Sequence, residues 1–236
     1  ILTSPLSTGV PSLDGVPLPM ERRRLGRFLY LNEHLDATVW TDAHIRRMAD
    51  ELAAFEPVVL EANPTLLARF ARRAGALGLR CQQPRLIVLS FEIPSRLHLR
   101  QIARAFDAPI LSSYGCTEAG CVLTQCEAGC FHQNTDFVRV EFQPLAAGFA
   151  RPDVGRIVLT SFGNPWRVLV RFDVGDLVRL RPPAMPCACG RVYGVVADAI
   201  EGRISDVTFD RRGQLVTVDE LDRRVAAVDG VLEYQV

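Results

Sequence analysis

Residues 112–120 read SSYGCTEAG and place a hydroxyl next to a carboxylate directly after an apolar run. This order is typical of a strand that ends in a ligand-binding loop. Gly115 would allow the backbone to approach a bound group closely, because it carries no side chain. Thr117 offers a hydroxyl, and the carboxylate of Glu118 suits a hard cation such as Mg²⁺. An ordinary polar turn after a strand is the alternative interpretation.

Two later motifs place charged residues near expected strand ends. Residues 171–177 read RFDVGDL, in which glycine fixes a turn and Asp176 follows a strand end. A carboxylate in that position can accept hydrogen bonds from both hydroxyls of a ribose. Residues 201–206 read EGRISD, in which Gly202 and Arg203 offer a cation for phosphate or ribose oxygens. Each motif alone is also compatible with an ordinary β-turn or solvated turn.

The cysteines are grouped in two short clusters, unlike those of a secreted disulfide framework. Residues 126–132 read CEAGCFH, and residues 186–191 read PCACGR. Three thiolates and one imidazole would form a closed, structural, tetrahedral zinc site that joins two distant loops and adds folding energy. Of the two cysteines in the first cluster, Cys126 is the preferred ligand and Cys130 is left over, although the choice between them stays open. The expected ligands are Cys126, His132, Cys187 and Cys189. Small core residues with one surface histidine are the alternative.

Composition limits the classes of function. The chain has 236 residues, of which 48% are hydrophobic, so it can form one large domain or two small ones with a real core. The formal net charge is zero, which gives no electrostatic sign of a nucleic-acid or membrane partner. No apolar run approaches the roughly 20 residues of a membrane helix, and we expect a cytoplasmic protein. All 27 basic residues are arginine.

The elements that must position these residues change in kind along the chain. Up to residue 106, short apolar strands alternate with amphipathic helices, which predicts a parallel, doubly wound sheet. The expected helices are 41–55, a helix from residue 64, and 94–106, and the expected strands are 58–60 and 86–89. Ligands bind at the carboxyl ends of such strands, where SSYGCTEAG and the turn at residues 90–92 lie.

After residue 120, the expected strands follow one another without helices between them. Residues 138–142 alternate in polarity as a half-exposed strand does, and the further strands are expected at 156–161, 168–172 and 192–196. This pattern predicts an antiparallel barrel or sandwich. From Gly202 onward, a short strand pair and a helix at residues 218–228 are expected.

The fold class is therefore predicted to be α/β, with a parallel part and an antiparallel part. We expect three regions along the chain. Residues 1–120 would form a nucleotide-binding α/β part, residues 121–201 an antiparallel part with the zinc site, and residues 202–236 a hinge with only the start of a C-terminal domain.

Taken together, the motifs resemble a known superfamily. YGCTE at 114–118, RFDVGD at 171–176 and GRISD at 202–206 are similar, in this order, to the signature motifs of the adenylate-forming superfamily of acyl-CoA synthetases. The cysteine pattern resembles that of the phenylacetate-CoA ligase family, which includes zinc-containing members. The resemblance covers roughly residues 55–236 and extends weakly to TSPLSTGVPS at residues 3–12, which matches the phosphate loop.

The resemblance implies an ATP-dependent acid–thiol ligase that produces AMP. The carboxylate of an aryl or arylacetic acid would attack the α-phosphate of ATP and form an acyl-adenylate. The thiol of CoA, or of a carrier-protein phosphopantetheine, would then take the acyl group. The implied cofactors are ATP, Mg²⁺ and a structural Zn²⁺. No nucleic-acid or membrane partner is implied, and a homodimer is left open.

The resemblance also implies roles for individual residues. Thr117 would contact the phosphate and Glu118 the Mg²⁺, while Asp176 would hold the ribose hydroxyls and Arg203 would support ribose or phosphate. The other implied residues border the phosphate, adenine and acyl pockets. They are Ser7, Thr8, Gly9, Ser90, Phe91, Glu92, Ser113, Tyr114 and Gly115.

Some features depart from the superfamily pattern. Leu6 stands where a glycine is usual in the phosphate loop, and Val10 stands where a lysine is usual. The segment between residues 12 and 41 is much shorter than the corresponding region of the family. The family's adenylation lysine lies in a C-terminal domain, of which we expect only the start here. These departures favour an alternative interpretation. In it, the chain is a degenerate, non-catalytic relative that binds nucleotide or serves as a partner subunit. A third option keeps adenylation but transfers the acyl group to a carrier protein or an amine.

Overall fold

The computed structural model of the protein describes residues 1–5, 18–34, 36–145, 151–163 and 168–234. The chain divides into two compact units, Ile1–Ile110 and Leu111–Val236. The expected α/β class with a parallel and an antiparallel part is confirmed, since parallel pairing occurs in the first unit and antiparallel pairing in the second. The finer division into three regions stays a prediction.

The first unit combines helices with a parallel strand pair. Its strands are β1 (Arg24–Leu25), β2 (Phe28–Leu29), β3 (Val59–Ala62) and β4 (Leu86–Leu89), and its helices are α1 (Asp42–Phe55), α2 (Pro64–Ala76) and α3 (Arg96–Ile102). Strands β3 and β4 pair in parallel. Leu2 extends this arrangement through a parallel bridge to Ala62. One hydrophobic core gathers residues from α1, α2, β3 and β4.

Local sequence explains where these helices begin and end. Thr41 caps α1 in a capping box with His44, and the helix ends at Glu56, whose φ is +48°, just before Pro57. Asn63 caps α2 by accepting a hydrogen bond from the Leu66 backbone nitrogen. The third helix is shorter than expected at both ends, because the cap at Ser95 fixes its start two residues after the proline at position 94 and it ends at Ile102, four residues before the expected end.

The second unit is mainly an antiparallel sheet. Its long strands are β5 (Ile110–Cys116), β6 (Gly120–Gln125), β7 (Phe131–Gln133), β8 (Val138–Pro144), β9 (Val154–Ser161), β10 (Phe172–Leu180) and β11 (Val196–Arg203). They are ordered β5-β6-β7-β11-β10-β9-β8. Every one of these neighbouring pairs is antiparallel. A short pair, β12 (Thr208–Phe209) and β13 (Leu215–Val216), precedes α4 (Val218–Val225).

Two strands differ in position from the sequence-based expectation. The strand expected at 168–172 is β10 at Phe172–Leu180, and the one expected at 192–196 is β11 at Val196–Arg203. The first difference arises at Gly175, whose φ of +79° and the nearby register shift toward β9 mark a β-bulge. A bulge lets the chain pass a glycine and continue as a strand, where the sequence suggested a turn.

Arginine and glutamate side chains form a buried charged cluster in the first unit. Arg23 is fully buried, and its guanidinium donates to the Tyr30 carbonyl at 2.7 Å and to Glu51 Oε2 at 2.9 Å. Glu33 is also fully buried and accepts from Arg47 at 2.9 Å.

None of the helices among the described residues combines the length and the apolar character that crossing a membrane requires.

Replacing Arg23 with leucine is expected to lower the free energy of unfolding by about 3–5 kcal/mol, because buried carboxylates would lose their cation. Arg22 lies next to it in the chain but is exposed, so Arg22→Leu should change stability by less than about 0.5 kcal/mol. Equilibrium urea denaturation of both variants measures the difference. Equal, small losses for the two variants would show that the buried cluster does not stabilise the unit.

Candidate functional site

The SSYGCTEAG stretch forms a β-hairpin, which differs from the expected strand end that opens into a loop. Cys116 pairs with Gly120 across β5 and β6, so residues 117–119 form the turn. A Cβ atom added at Gly115 would lie 2.5 Å from the Gly120 carbonyl oxygen. The close approach that this glycine permits is therefore to the backbone of the hairpin itself. Ser113 Oγ lies 3.4 Å from the sulfur of Cys121 on the facing strand.

Three motifs meet at the carboxylate of Asp176. The hydroxyl of Tyr114 on β5 donates to Asp176 Oδ2 at 2.5 Å. Arg203, at the end of β11, is the register partner of Asp176, and its Nε lies 3.4 Å from Asp176 Oδ1. The side chain of Asp176 is 15% exposed and that of Arg203 is 70% exposed. The structure thus brings together one predicted residue from each of the three motifs.

The Tyr114 phenol is a permanent hydrogen-bond donor at this point. Burial is the largest cause that raises its pKa, and the hydrogen bond to Asp176 and the negative charge of that carboxylate act in the same direction. A phenol with a raised pKa keeps its proton at neutral pH. Asp176 therefore retains this donor under ordinary solution conditions.

Thr117 and Glu118 lie in the turn between β5 and β6, within the same unit as Asp176. Thr117 is exposed and Glu118 is half-buried. Neighbouring Cys116 is not prepared for nucleophilic chemistry, because burial raises the pKa of its thiol. Thr117 is therefore accessible to a ligand, while the Glu118 carboxylate lies close to the Cys116 thiol.

In the first unit, the turn of Ser90, Phe91 and Glu92 follows β4, at the expected carboxyl end of a parallel strand. Ser90 Oγ donates to Glu61 Oε1 at 2.9 Å, and Thr65 Oγ1 donates to Glu92 Oε2 at 2.7 Å. Between these two anchors, Phe91 has a φ of +76° and is 53% exposed. Left-handed backbone is costly for a bulky residue and is concentrated at ligand sites. Sequence reasoning missed both supports, although a glutamate inside the apolar strand β3 was a signal.

The hydroxyl-rich segment at residues 3–12 is described only as far as Pro5. Ser7, Thr8 and Gly9 lie outside the described residues, whereas Thr3, at its start, is buried. Asn32 Nδ2 donates to the Thr3 carbonyl at 3.1 Å, and Asn32 Oδ1 accepts from Trp40 Nε1 at 3.2 Å. Asn32 thus anchors the entry to this loop. No sequence motif had marked it.

Three sulfur atoms and one imidazole nitrogen converge in the second unit. The ligand atoms of Cys126, His132, Cys187 and Cys189 all lie within 4.8 Å of one another. The sulfurs of Cys126 and Cys187 are 3.6 Å apart, and Cys189 Sγ lies 3.3 Å from His132 Nε2. A tetrahedral zinc with Zn–S bonds of about 2.3 Å separates two sulfur ligands by about 3.8 Å, so these distances fit that ion. A disulfide would need about 2.05 Å between sulfurs.

Short turns and one strand position these four side chains. The backbone nitrogen of Cys126 donates to the Cys130 carbonyl at 2.8 Å, which closes the first loop. A hydrogen bond of 3.1 Å from the Gly190 nitrogen to the Cys187 carbonyl closes the second. His132 lies on β7, where it pairs with Val196 of β11.

Cys130 has a different partner from the four converging residues. Its sulfur lies 3.8 Å from Asp198 Oδ1, which also accepts from Arg181 at 2.7 Å.

Burial raises the pKa of the Cys126 thiol and lowers that of the His132 imidazole. The imidazole is therefore neutral at ordinary pH, which is the form that binds a metal.

No model of a known protein family matches the sequence. No curated protein matches it either. Fold comparison, in contrast, finds many solved structures, and two of those described below are CoA ligases.

One similar structure is a 2-hydroxyisobutyryl-CoA ligase in the postadenylation state in complex with 2-HIB-AMP. The TM-score is 0.65 at 19% identity, and the match covers 81% of this chain and 42% of that chain. A second is the anthranilate CoA ligase AuaEII in complex with anthranoyl-AMP, with a TM-score of 0.58, 14% identity, and coverage of 87% and 40%. A third is apo MatB from Rhodopseudomonas palustris, with a TM-score of 0.52, 19% identity, and coverage of 80% and 39%.

The three comparisons show how far the similarity in fold extends. The chain spans 42% or less of the length of these three proteins. The expected resemblance to adenylate-forming acyl-CoA ligases is supported at the level of the fold, while the narrower resemblance to phenylacetate-CoA ligases stays a prediction. The described chain is therefore similar in fold to part of the 2-hydroxyisobutyryl-CoA ligase structure.

Proposed function

We propose that this chain is the nucleotide-handling part of an ATP-dependent acid–thiol ligase. The observation that carries the proposal is the convergence of Tyr114 and Arg203 on the carboxylate of Asp176. A partly buried carboxylate flanked by a neutral donor and a cation suits a pair of ribose hydroxyls. A nucleotide whose ribose lies there is close to the hairpin that carries SYGCTE.

The residues of the second unit have distinct roles in this proposal. Asp176 accepts the ribose hydroxyls, and the exposed guanidinium of Arg203 can contact ribose or phosphate. Thr117 donates its hydroxyl to a phosphate oxygen, and the carboxylate of Glu118 holds Mg²⁺. Bound Mg²⁺ neutralises charge on the phosphates. The protein's own contribution is to position the groups and stabilise developing charge.

The reaction consists of two displacements. The substrate carboxylate attacks the α-phosphorus of ATP, the bond to the β-phosphate breaks, and pyrophosphate leaves. The acceptor thiol, after losing its proton, then attacks the acyl carbon, and AMP leaves with the bonding electron pair. CoA and a carrier-protein phosphopantetheine offer the same thiol chemistry.

We propose an aromatic acid as the substrate class. The exposed ring of Phe91, held in left-handed backbone between two anchored side chains, is suited to pack against an aromatic group. Among structures with this fold, AuaEII is a ligase for the aromatic acid anthranilate, whereas another acts on 2-hydroxyisobutyrate. A homodimer and a cytoplasmic location stay predictions, the latter supported by free cysteines.

We propose that Cys126, His132, Cys187 and Cys189 hold a structural zinc ion. Four protein ligands would fill the tetrahedral coordination of zinc and leave no position for a substrate. The ion would fix the loop after β6 to the loop before β11, and its binding energy would add to folding.

A second candidate function is nucleotide binding without acyl transfer. The observations that favour it are Leu6 and Val10 in the hydroxyl-rich segment at residues 3–12. A leucine in place of glycine limits the approach of backbone to phosphate, and a valine supplies no cation. Under this candidate, Asp176 binds ribose but no adenylate is formed.

Carboxylate-dependent exchange of labelled pyrophosphate into ATP tests the ligase function on the full-length gene product. We expect exchange with aryl or arylacetic acids, and a loss of at least about 100-fold in kcat/KM for Asp176→Asn, because ribose binding positions the α-phosphate. Asp136→Asn changes an exposed carboxylate in the same unit and should leave the rate unchanged. ATP binding without any acid-dependent exchange would favour the second candidate.

The zinc proposal predicts about one zinc ion per chain by elemental mass spectrometry of the purified protein. Cys126→Ser should remove that zinc and lower the melting temperature, because one of four ligands is lost. Cys130→Ser is the matched control in the same loop and should retain the metal. Loss of zinc from both variants to the same degree, or a wild-type protein without zinc, would contradict the assignment.

A further inference from the structure

We infer that Tyr114 is a positioning residue that orients the Asp176 carboxylate so that both of its oxygens face a ribose. The inference rests on the proposed nucleotide-binding function and adds to it a residue that acts through Asp176. Its basis is the hydrogen bond of 2.5 Å between the Tyr114 hydroxyl and Asp176 Oδ2. The resemblance to known ligases had placed this tyrosine at the border of the adenine and acyl pockets.

The acceptor capacity of the carboxylate supports this role. An ionised carboxylate has about four lone-pair sites, two on each oxygen. Tyr114 occupies one site on Oδ2, and Arg203 lies against Oδ1. At least one site on each oxygen then remains, which matches the 2′- and 3′-hydroxyls of one ribose. Because Tyr114 already uses one site on Oδ2, that oxygen cannot accept hydrogen bonds from both hydroxyls of the ligand.

The tyrosine itself is held firmly. Its ring packs against the hydrophobic core of the second unit, and its backbone pairs with Leu123 across the hairpin. A ring fixed by packing loses little further freedom when its hydroxyl forms a hydrogen bond. Asp176, in contrast, lies next to the bulge at Gly175, where the strand backbone is irregular. The fixed hydroxyl of Tyr114 therefore determines the orientation of the Asp176 carboxylate.

The test uses calorimetry to measure the dissociation constants of ATP and of 2′,3′-dideoxy-ATP for the full-length gene product. Wild-type protein should prefer ATP, because only ATP has the two hydroxyls that Asp176 accepts. In Tyr114→Phe, the dissociation constant for ATP should rise about 10-fold, as expected for the loss of one hydrogen bond to a charged group. The constant for the dideoxy nucleotide should change less than about two-fold. Tyr193→Phe is the control, since Tyr193 is 81% exposed in the same unit.

Each other outcome overturns a definite claim. If Tyr114→Phe weakens both nucleotides equally, or weakens neither, the positioning role is wrong, whereas preference for ATP in the wild type would still support the proposed ribose site. If the wild type does not distinguish the two nucleotides, or binds neither, both the ribose site and the inference fail. The melting temperature of Tyr114→Phe, measured alongside, should stay near that of the wild type because the ring and its packing are kept.

Discussion

The hydrogen bond between Tyr114 and Asp176 depends on a strongly curved sheet. In the strand order of the second unit, β6, β7 and β11 separate the strands that carry these two residues. Neighbouring strands lie about 4.8 Å apart, so a flat sheet would separate β5 from β10 by about 19 Å. Two side chains cannot bridge that distance. The observed 2.5 Å contact therefore requires the sheet to curl until its first and fifth strands face each other.

The curvature has identifiable causes within the strands. Register shifts interrupt the pairing of β10 with both neighbours, and another occurs in the β5–β6 hairpin. Bulges of this kind increase local twist and redirect side chains. The buried face of the curved sheet holds a continuous core that includes Val122, Val140 and Ile200. The same irregularities that close the sheet also direct Asp176 toward the hairpin.

The four-residue cluster of thiols and imidazole constrains the same unit in another way. Cys126 and Cys187 are 61 residues apart in sequence, yet their sulfurs lie 3.6 Å from each other. The loops that bear them follow β6 and precede β11, two of the strands that take part in the curve. A metal ion there would hold this part of the sheet closed and so preserve the distance between β5 and β10 indirectly.

Short-range signals in the sequence predicted much of this structure, and long-range packing accounts for the rest. The starts of α1 and α2 were readable because Thr41 is a favourable cap and Pro64 suits a first helical position, and the cysteine spacing selected the residues that converge. The strand position of Asp176 was not readable, because a glycine beside an aspartate signals a turn and a bulge equally well. The partnership of Tyr114 with Asp176 depends on sheet curvature, which no local pattern records.

The most direct test of the account is a crystal structure of the full-length gene product with AMP bound. We expect the 2′- and 3′-hydroxyls of the ribose to lie about 2.7 Å from the two oxygens of Asp176, with Tyr114 still donating to that carboxylate. AMP bound elsewhere in the molecule, with the Asp176 carboxylate contacted only by protein, would contradict it.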